Sequence, residues 1–254
     1  MPAPRNELKA ALASGAVQRG LWLALGSEAV TEIAGQAGFD WCLVDGEHGP
    51  WDPTLIRRQL MVLAGTGTPG VVRVPVDEPW VLKQALDIGA QSVMVPMVGT
   101  AGQARAAVAA CRYPPEGIRG NGGQTMRAGA YGGITDHAAT ANDEICLIVQ
   151  AESRAALDNL DEIAAVDGVD CVFFGPADLA ADMGHRDDPM NAEVWGGIRH
   201  GIDVIRAAGK AVGIFGPPAL EGQMIEAGVS MLSAGADAAV LTAALRGLAG
   251  GAPA

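Results

Sequence analysis

Side chains able to do chemistry gather at four points of the chain, each just after a short apolar run. VDGEHGPWD carries Asp45, Glu47 and His48, and VVRVP carries Arg73. VQAES carries Gln150 and Glu152, and FFGPADL carries Asp178 behind Gly175, Pro176 and Ala177. Two carboxylates held close repel each other unless one is protonated or a cation lies between them. Glu152 and Asp178 lie one repeat of the chain pattern apart, so they can project from neighbouring strands. A hard divalent ion such as Mg²⁺ or Mn²⁺ takes oxygen ligands of this kind and leaves room for water or substrate. Both acids also stand near helix starts, where capping is the competing reading.

His48 sits in a tight turn between Gly46 and Gly49–Pro50, where an imidazole can serve as a general base. A solvated loop histidine is the alternative, and it is the reading given to His137, His185 and His200. Arg73 leaves an apolar strand and needs an anionic partner. That partner is either a substrate oxygen gaining charge in a transition state or a structural carboxylate, Asp45 or Glu47. The Gly175–Asp178 turn presents backbone amides at a helix start, which attract carboxylate or phosphate oxygens. No Walker loop, dinucleotide fingerprint, zinc spacing or nucleophile elbow occurs. No lysine falls at a strand end in an apolar pocket, which disfavours Schiff-base chemistry.

The elements that must position these groups are legible in the apolar rhythm. Strands are expected at Gly20–Leu25, Asp40–Val44, Val71–Val74, Ser92–Pro96, Cys146–Gln150, Cys171–Phe174, Ala211–Phe215 and Met231–Ser233. Several are apolar almost throughout, as parallel strands covered on both faces are. Amphipathic helices are expected between them at Ala29–Ala37, Pro53–Ala64, Pro79–Ile88, Ala101–Ala110, Ser153–Ala165, Glu193–Ala208, Ala219–Ala227 and Ala236–Ala249. Eight βα units in 254 residues predict a single (β/α)8 TIM-barrel domain over residues 1–254, with an open doubly wound sheet as the alternative. In such a barrel the reactive groups belong at the carboxyl ends of the strands. A Gly- and Arg-rich stretch at 113–142, entered through Pro114–Pro115, breaks the rhythm and is read as a lid over the mouth. Its Arg119 and Arg127 would suit an anionic ligand or a subunit contact.

Composition narrows the field. Apolar residues make up 49% of the chain, enough for a large core, and the net charge of −12 argues against nucleic-acid or anionic-membrane partners. Only 18% of residues are charged, which leaves surface for neighbouring subunits to cover. Cys42, Cys111, Cys146 and Cys171 form no C-x-x-C pair and read as buried free thiols of a reducing compartment. With no signal-like or membrane-spanning run in the sequence, a cytoplasmic enzyme is expected.

The stretches GLWLALGS, DWCLVDGEHGPWD, GVVRVP, VPMV, RYPPEGIRG, LIVQAES, GVDCVFFGPADLAADMG and GKAVGIF cover nearly the whole chain in order. Together they resemble the HpcH/HpaI family of class II, metal-dependent hydroxyketoacid aldolases. The resemblance implies reversible cleavage of 4-hydroxy-2-oxo acids, such as 4-hydroxy-2-oxoheptanedioate, to pyruvate and an aldehyde. It implies His48 as the base, with Asp87 raising its basicity and Asp45 beside them in the catalytic set. It implies Arg73 as enolate stabiliser and substrate contact, and Glu152 and Asp178 as ligands of Mg²⁺, Mn²⁺ or Co²⁺. Gln150 and the Gly175, Pro176, Ala177 and Asp178 turn would contact pyruvate. A homo-hexamer, built as a dimer of trimers with an exchanged C-terminal helix, would account for the Ala-rich tail at Ala236–Leu248. RGNGGQTMRAGAYGG and FGPPALEG depart from the family pattern, which leaves the aldehyde open. Sugar-acid aldolases of the 2-dehydro-3-deoxy type, citryl- or malyl-CoA lyases and a non-catalytic keto-acid binder are the competing functions.

Overall fold

In the computed structural model, eight parallel strands hydrogen-bond in chain order and the last closes onto the first. They are β1 (Gln18–Leu23), β2 (Trp41–Asp45), β3 (Gly70–Arg73), β4 (Ser92–Val95), β5 (Cys146–Ala151), β6 (Cys171–Phe174), β7 (Ala211–Phe215) and β8 (Met231–Ala236). The structure describes residues 1–250, so the last four positions of the domain read from the sequence lie outside the described residues. Closure excludes the open sheet.

The helices that follow successive strands start where the local chemistry says they should. Ser27, Asp52, Thr100, Ser153 and Asn191 each accept a hydrogen bond from a first-turn amide. They open α2 (Glu28–Gln36), α3 (Pro53–Thr66), α5 (Ala101–Cys111), α7 (Arg154–Asp158) and α10 (Ala192–Ala207). Proline at the first position opens α4 (Pro79–Asp87) and α9 (Pro176–Asp182). The helix expected at Ser153–Ala165 is broken at Asn159 into α7 and α8 (Leu160–Ala164), and Asn159 donates to the carbonyl of Gly99 at 2.9 Å. A single turn, α6 (His137–Thr140), lies between α5 and β5, and the circuit ends with α11 (Glu221–Ala227) and α12 (Asp237–Leu248).

Two apolar layers hold the barrel. Outward-facing strand residues such as Val44, Val72, Val149 and Ile214 pack beneath the helices. Inside, Trp22, Trp41, Leu43, Met94, Ile148 and Phe173 fill the barrel. A Cβ on Gly20 would come 2.0 Å from the Trp41 ring, so that glycine is what lets the indole fit. The sequence reading did not anticipate α1 (Glu7–Ala13), whose buried Leu8 and Leu12 plug the amino end of the barrel. Its signals are modest: the Asn6 cap and one apolar pair at i, i+4 spacing. All four cysteines are buried and free.

The segment at 113–142 is not a lid over the mouth. α5 runs from the carboxyl to the amino ends of the strands, and the segment stays at the amino end until β5 begins. Arg119 pairs with Asp87 at the end of α4 at 2.8 Å, and the Asp87 carbonyl accepts from the Ala128 amide at 3.2 Å. Asn6 is bonded to the Ser92 hydroxyl at the start of β4 and to the Glu144 backbone. A cavity of about 590 Å³ opens here, lined by Arg119, Arg127, Tyr131 and His137, at the opposite end from the strand-end acids. The reason is topological: an αβ connection returns to the amino ends, whereas βα connections build the mouth.

No helix among the described residues is long and apolar enough to cross a membrane. In α12, Val240, Leu241, Leu245 and Leu248 are exposed, and its one buried residue is Asp237.

Candidate active site

The carboxyl ends of β2, β3, β5 and β6 bring the sequence-identified groups into one charged cluster. Asp45 stands opposite Arg73 in the β2–β3 register. The buried guanidinium binds it through two bonds, Nε to Oδ1 at 2.9 Å and Nη2 to Oδ2 at 2.7 Å. Nη1 lies 2.7 Å from Glu47 Oε2, and the group sits 5.3 Å from the centroid of the Trp22 ring. This is the carboxylate-paired alternative for Arg73. Such a fork is fixed in its plane, yet each Nη retains a second proton to donate.

Asp45 has a further task. Its Oδ1 accepts from the amides of Glu47 at 3.0 Å and His48 at 3.3 Å, and so shapes the turn that presents the imidazole. His48 is exposed, and its ring makes no hydrogen bond among the described residues.

Glu152 is 2% exposed. Its Oε1 accepts from Gln150 Nε2 at 2.5 Å and its Oε2 from the Met97 amide at 3.3 Å. Burial, and then the negative charge of Asp178, push its carboxyl up to about 7. Glu47 is raised as well, by burial first, against the lowering influence of Arg73. Asp178 is exposed in the first turn of α9 and makes no capping bond; Ser153, rather than Glu152, caps α7. Helix capping therefore does not account for either acid.

The residues fit a hard cation. Glu152 feels the negative charges of Asp178 and Glu47, with Arg73 as the cation that opposes them. Gly175 leaves the room: a Cβ there would come 2.2 Å from Glu152 Oε1. No group of three or more His, Cys, Asp or Glu side chains that could hold a metal occurs among the described residues. Glu152 and Asp178 would thus supply part of a coordination sphere, and substrate and water oxygens the remainder. Gln150 Oε1 is buried without a hydrogen-bond partner among the described residues, while Ala177 is exposed at the start of α9.

Within one chain Asp87 does not meet His48. It ends α4 at the amino end and pairs with Arg119, whose guanidinium lies 4.4 Å from the Tyr113 ring centroid. His137 is buried against Tyr113 rather than solvated, and His185 bonds Glu193 at 3.0 Å. All three lysines lie away from the cluster. Lys9 bonds the Ile145 carbonyl, Lys83 approaches Gly120, and Lys210 precedes β7. Sequence reasoning missed Trp22 and Phe215, which meet edge to face at 5.3 Å, because an aromatic in an apolar strand reads as core. It also missed Asp237, buried at the start of α12, which accepts from the Ala24 amide at 2.9 Å and the Leu25 amide at 3.2 Å.

The family model described as HpcH/HpaI aldolase/citrate lyase matches residues 18–244. A hydroxypyruvate/pyruvate aldolase of Agrobacterium fabrum is 50% identical, over 98% of this chain and 94% of that protein. A 4-hydroxy-2-oxo-heptane-1,7-dioate aldolase of Salmonella dublin is 45% identical, over 96% of this chain and 94% of that one. Among solved structures, a HpcH/HpaI aldolase/citrate lyase family protein of Burkholderia cenocepacia superposes with a TM-score of 0.93. It is 40% identical, with 96% of this chain and 98% of that one covered.

Proposed function

This chain belongs to the HpcH/HpaI aldolase/citrate lyase family, and from that premise we propose a divalent-metal-dependent aldolase acting on pyruvate or hydroxypyruvate. It adds the enolate of the keto acid to an aldehyde, and reverses that addition by cleaving 4-hydroxy-2-oxo acids. The observation that carries the metal dependence is buried Glu152, pushed up by burial and by Asp178 yet held by two hydrogen bonds. An ion of Mg²⁺, Mn²⁺ or Co²⁺ at Glu152 and Asp178 would supply the Lewis acidity that lowers the cost of the enolate.

The chain's own residues carry the rest. Arg73, locked by Asp45 and Glu47, sets a fixed positive charge for the enolate oxygen and loses nothing to reorganisation during the reaction. His48 accepts the proton of the 4-hydroxyl in the cleavage direction and returns it in the addition direction. Gln150 and the Gly175–Asp178 turn bind the keto acid. The absence of a mouth lysine supports this route over a Schiff base.

Asp87 can raise the basicity of His48 only from a second copy of the chain, which fits a homo-hexamer. The exposed leucines of α12 support that assembly, with the helix exchanged between subunits. Buried thiols favour a cytoplasmic location.

The test is turnover by EDTA-stripped protein in both directions. One assay follows pyruvate released from 4-hydroxy-2-oxoheptanedioate, and the other follows loss of hydroxypyruvate in the presence of a short aldehyde. Restoration by Mg²⁺, Mn²⁺ or Co²⁺ alone is expected. Turnover that survives chelation would remove the metal role, and cleavage of a CoA thioester in place of the keto acids would favour the lyase reading.

A further inference from the structure

Met97 follows β4 with φ of 55°, in the left-handed region that ordinary side chains avoid. The other two non-glycine residues of this kind among the described residues, Ala130 and Tyr131, lie in the amino-end segment. The Met97 side chain gives no reason for the conformation, since it is 53% exposed. The backbone does. The Met97 amide donates to Glu152 Oε2 at 3.3 Å, and the next amide, Val98, donates to the Gln150 carbonyl at 3.0 Å.

One unfavourable residue thus ties the end of β4 both to the main chain of β5 and to a carboxylate just beyond it. Strain that persists because its surroundings hold it in place is a means of preorganisation. We propose that Met97 is a positioning residue: its left-handed turn aims an N–H at Glu152 and fixes that carboxylate in the orientation that receives the cation. The Gln150 amide holds the other oxygen, and the bare Gly175 leaves space beside it. The inference rests on the metal reading above.

Substitution at 97 alters backbone preference while the donor remains. Glycine and asparagine accept positive φ readily, whereas β-branched valine resists it. Metal-stripped protein would be titrated calorimetrically with Mn²⁺ alone, without substrate, and each variant's melting temperature recorded. Met97→Gly and Met97→Asn are expected to bind Mn²⁺ about as tightly as the parent and to melt no lower. Folded Met97→Val is expected to bind about tenfold or more weakly, the usual scale for losing a partner of a metal ligand. A Met97→Val protein that loses melting temperature but keeps the parent's affinity would overturn the inference while leaving the metal reading intact. Should Met97→Val not fold, a tenfold affinity loss or a lower melting temperature in both Met97→Gly and Met97→Asn would overturn it instead. A parent that takes up no Mn²⁺ would overturn the metal reading, and this inference with it.

Discussion

Glu152 makes the electrostatic cost of the mouth measurable. Its carboxyl has an ordinary value of 4.5 and is raised to about 7 in the fold. Between those values the folded chain keeps a proton that the unfolded chain has released, so stability falls as pH rises through this window. At about 1.4 kcal/mol per unit the loss is on the order of 3 kcal/mol. Metal-stripped protein should therefore melt progressively lower from pH 4.5 to pH 7 than a Glu152→Gln variant does, a difference read from paired melting curves. Equal slopes would mean that burial does not raise this carboxyl. His48 makes the opposite kind of claim, about rate. With its ring exposed and bonded to none of the described residues of its own chain, His48→Ala should leave stability within about 0.5 kcal/mol of the parent. It should lower kcat by about 10²–10⁴, as loss of a general base does. A variant that retains most of its turnover would discard that role.

Among the elements, the 113–142 segment acts as a buttress. Arg119 is buried, pairs with Asp87 and stacks on Tyr113, which packs against Met126. These contacts fasten the connection between α5 and β5 to the end of α4. Arg119→Ala should cost about 2 kcal/mol of stability, because it removes a buried guanidinium and leaves the part-buried Asp87 carboxylate without its partner. Denaturant unfolding is the measurement, and a loss under 1 kcal/mol would mean that the segment is only loosely docked. The composition of this stretch, rich in Gly and Arg, suited a lid as well as a buttress. What distinguishes them is its position after a helix rather than after a strand, a topological fact that the chain order already contained. α1 illustrates another limit: one cap and one Leu pair are too little periodicity to announce a helix, and its role as a plug exists only once the barrel has closed.

At the scale of the whole molecule, α12 is the element that the proposed assembly would cover. Val240, Leu241, Leu245 and Leu248 are 60%, 45%, 55% and 86% exposed, a stripe that single subunits seldom leave open to water. Leu241→Glu together with Leu245→Glu should reduce the assembly to smaller species in sedimentation velocity. A parent that sediments as a monomer at micromolar concentration would remove the proposed hexamer. It would also remove the route by which Asp87 reaches His48. Because Asp237 fastens the root of α12 to the loop after β1, loss of assembly should also disturb the mouth.

The sequence alone determined the eight-fold βα order, the strand limits to within a few residues, and the strand ends that carry acids, imidazole and guanidinium. These follow from local rules: apolar runs for buried strands, and capping residues and prolines for helix starts. Only the tertiary structure decided how the charges divide. Arg73 is shared by Asp45 and Glu47, whereas Glu152 is left with an amide of Gln150 and a strained amide of Met97. Partner choice of that kind depends on distances of a few ångströms between strands far apart in sequence, and on space such as that left by Gly175. Residue type and spacing carry neither quantity until the barrel closes.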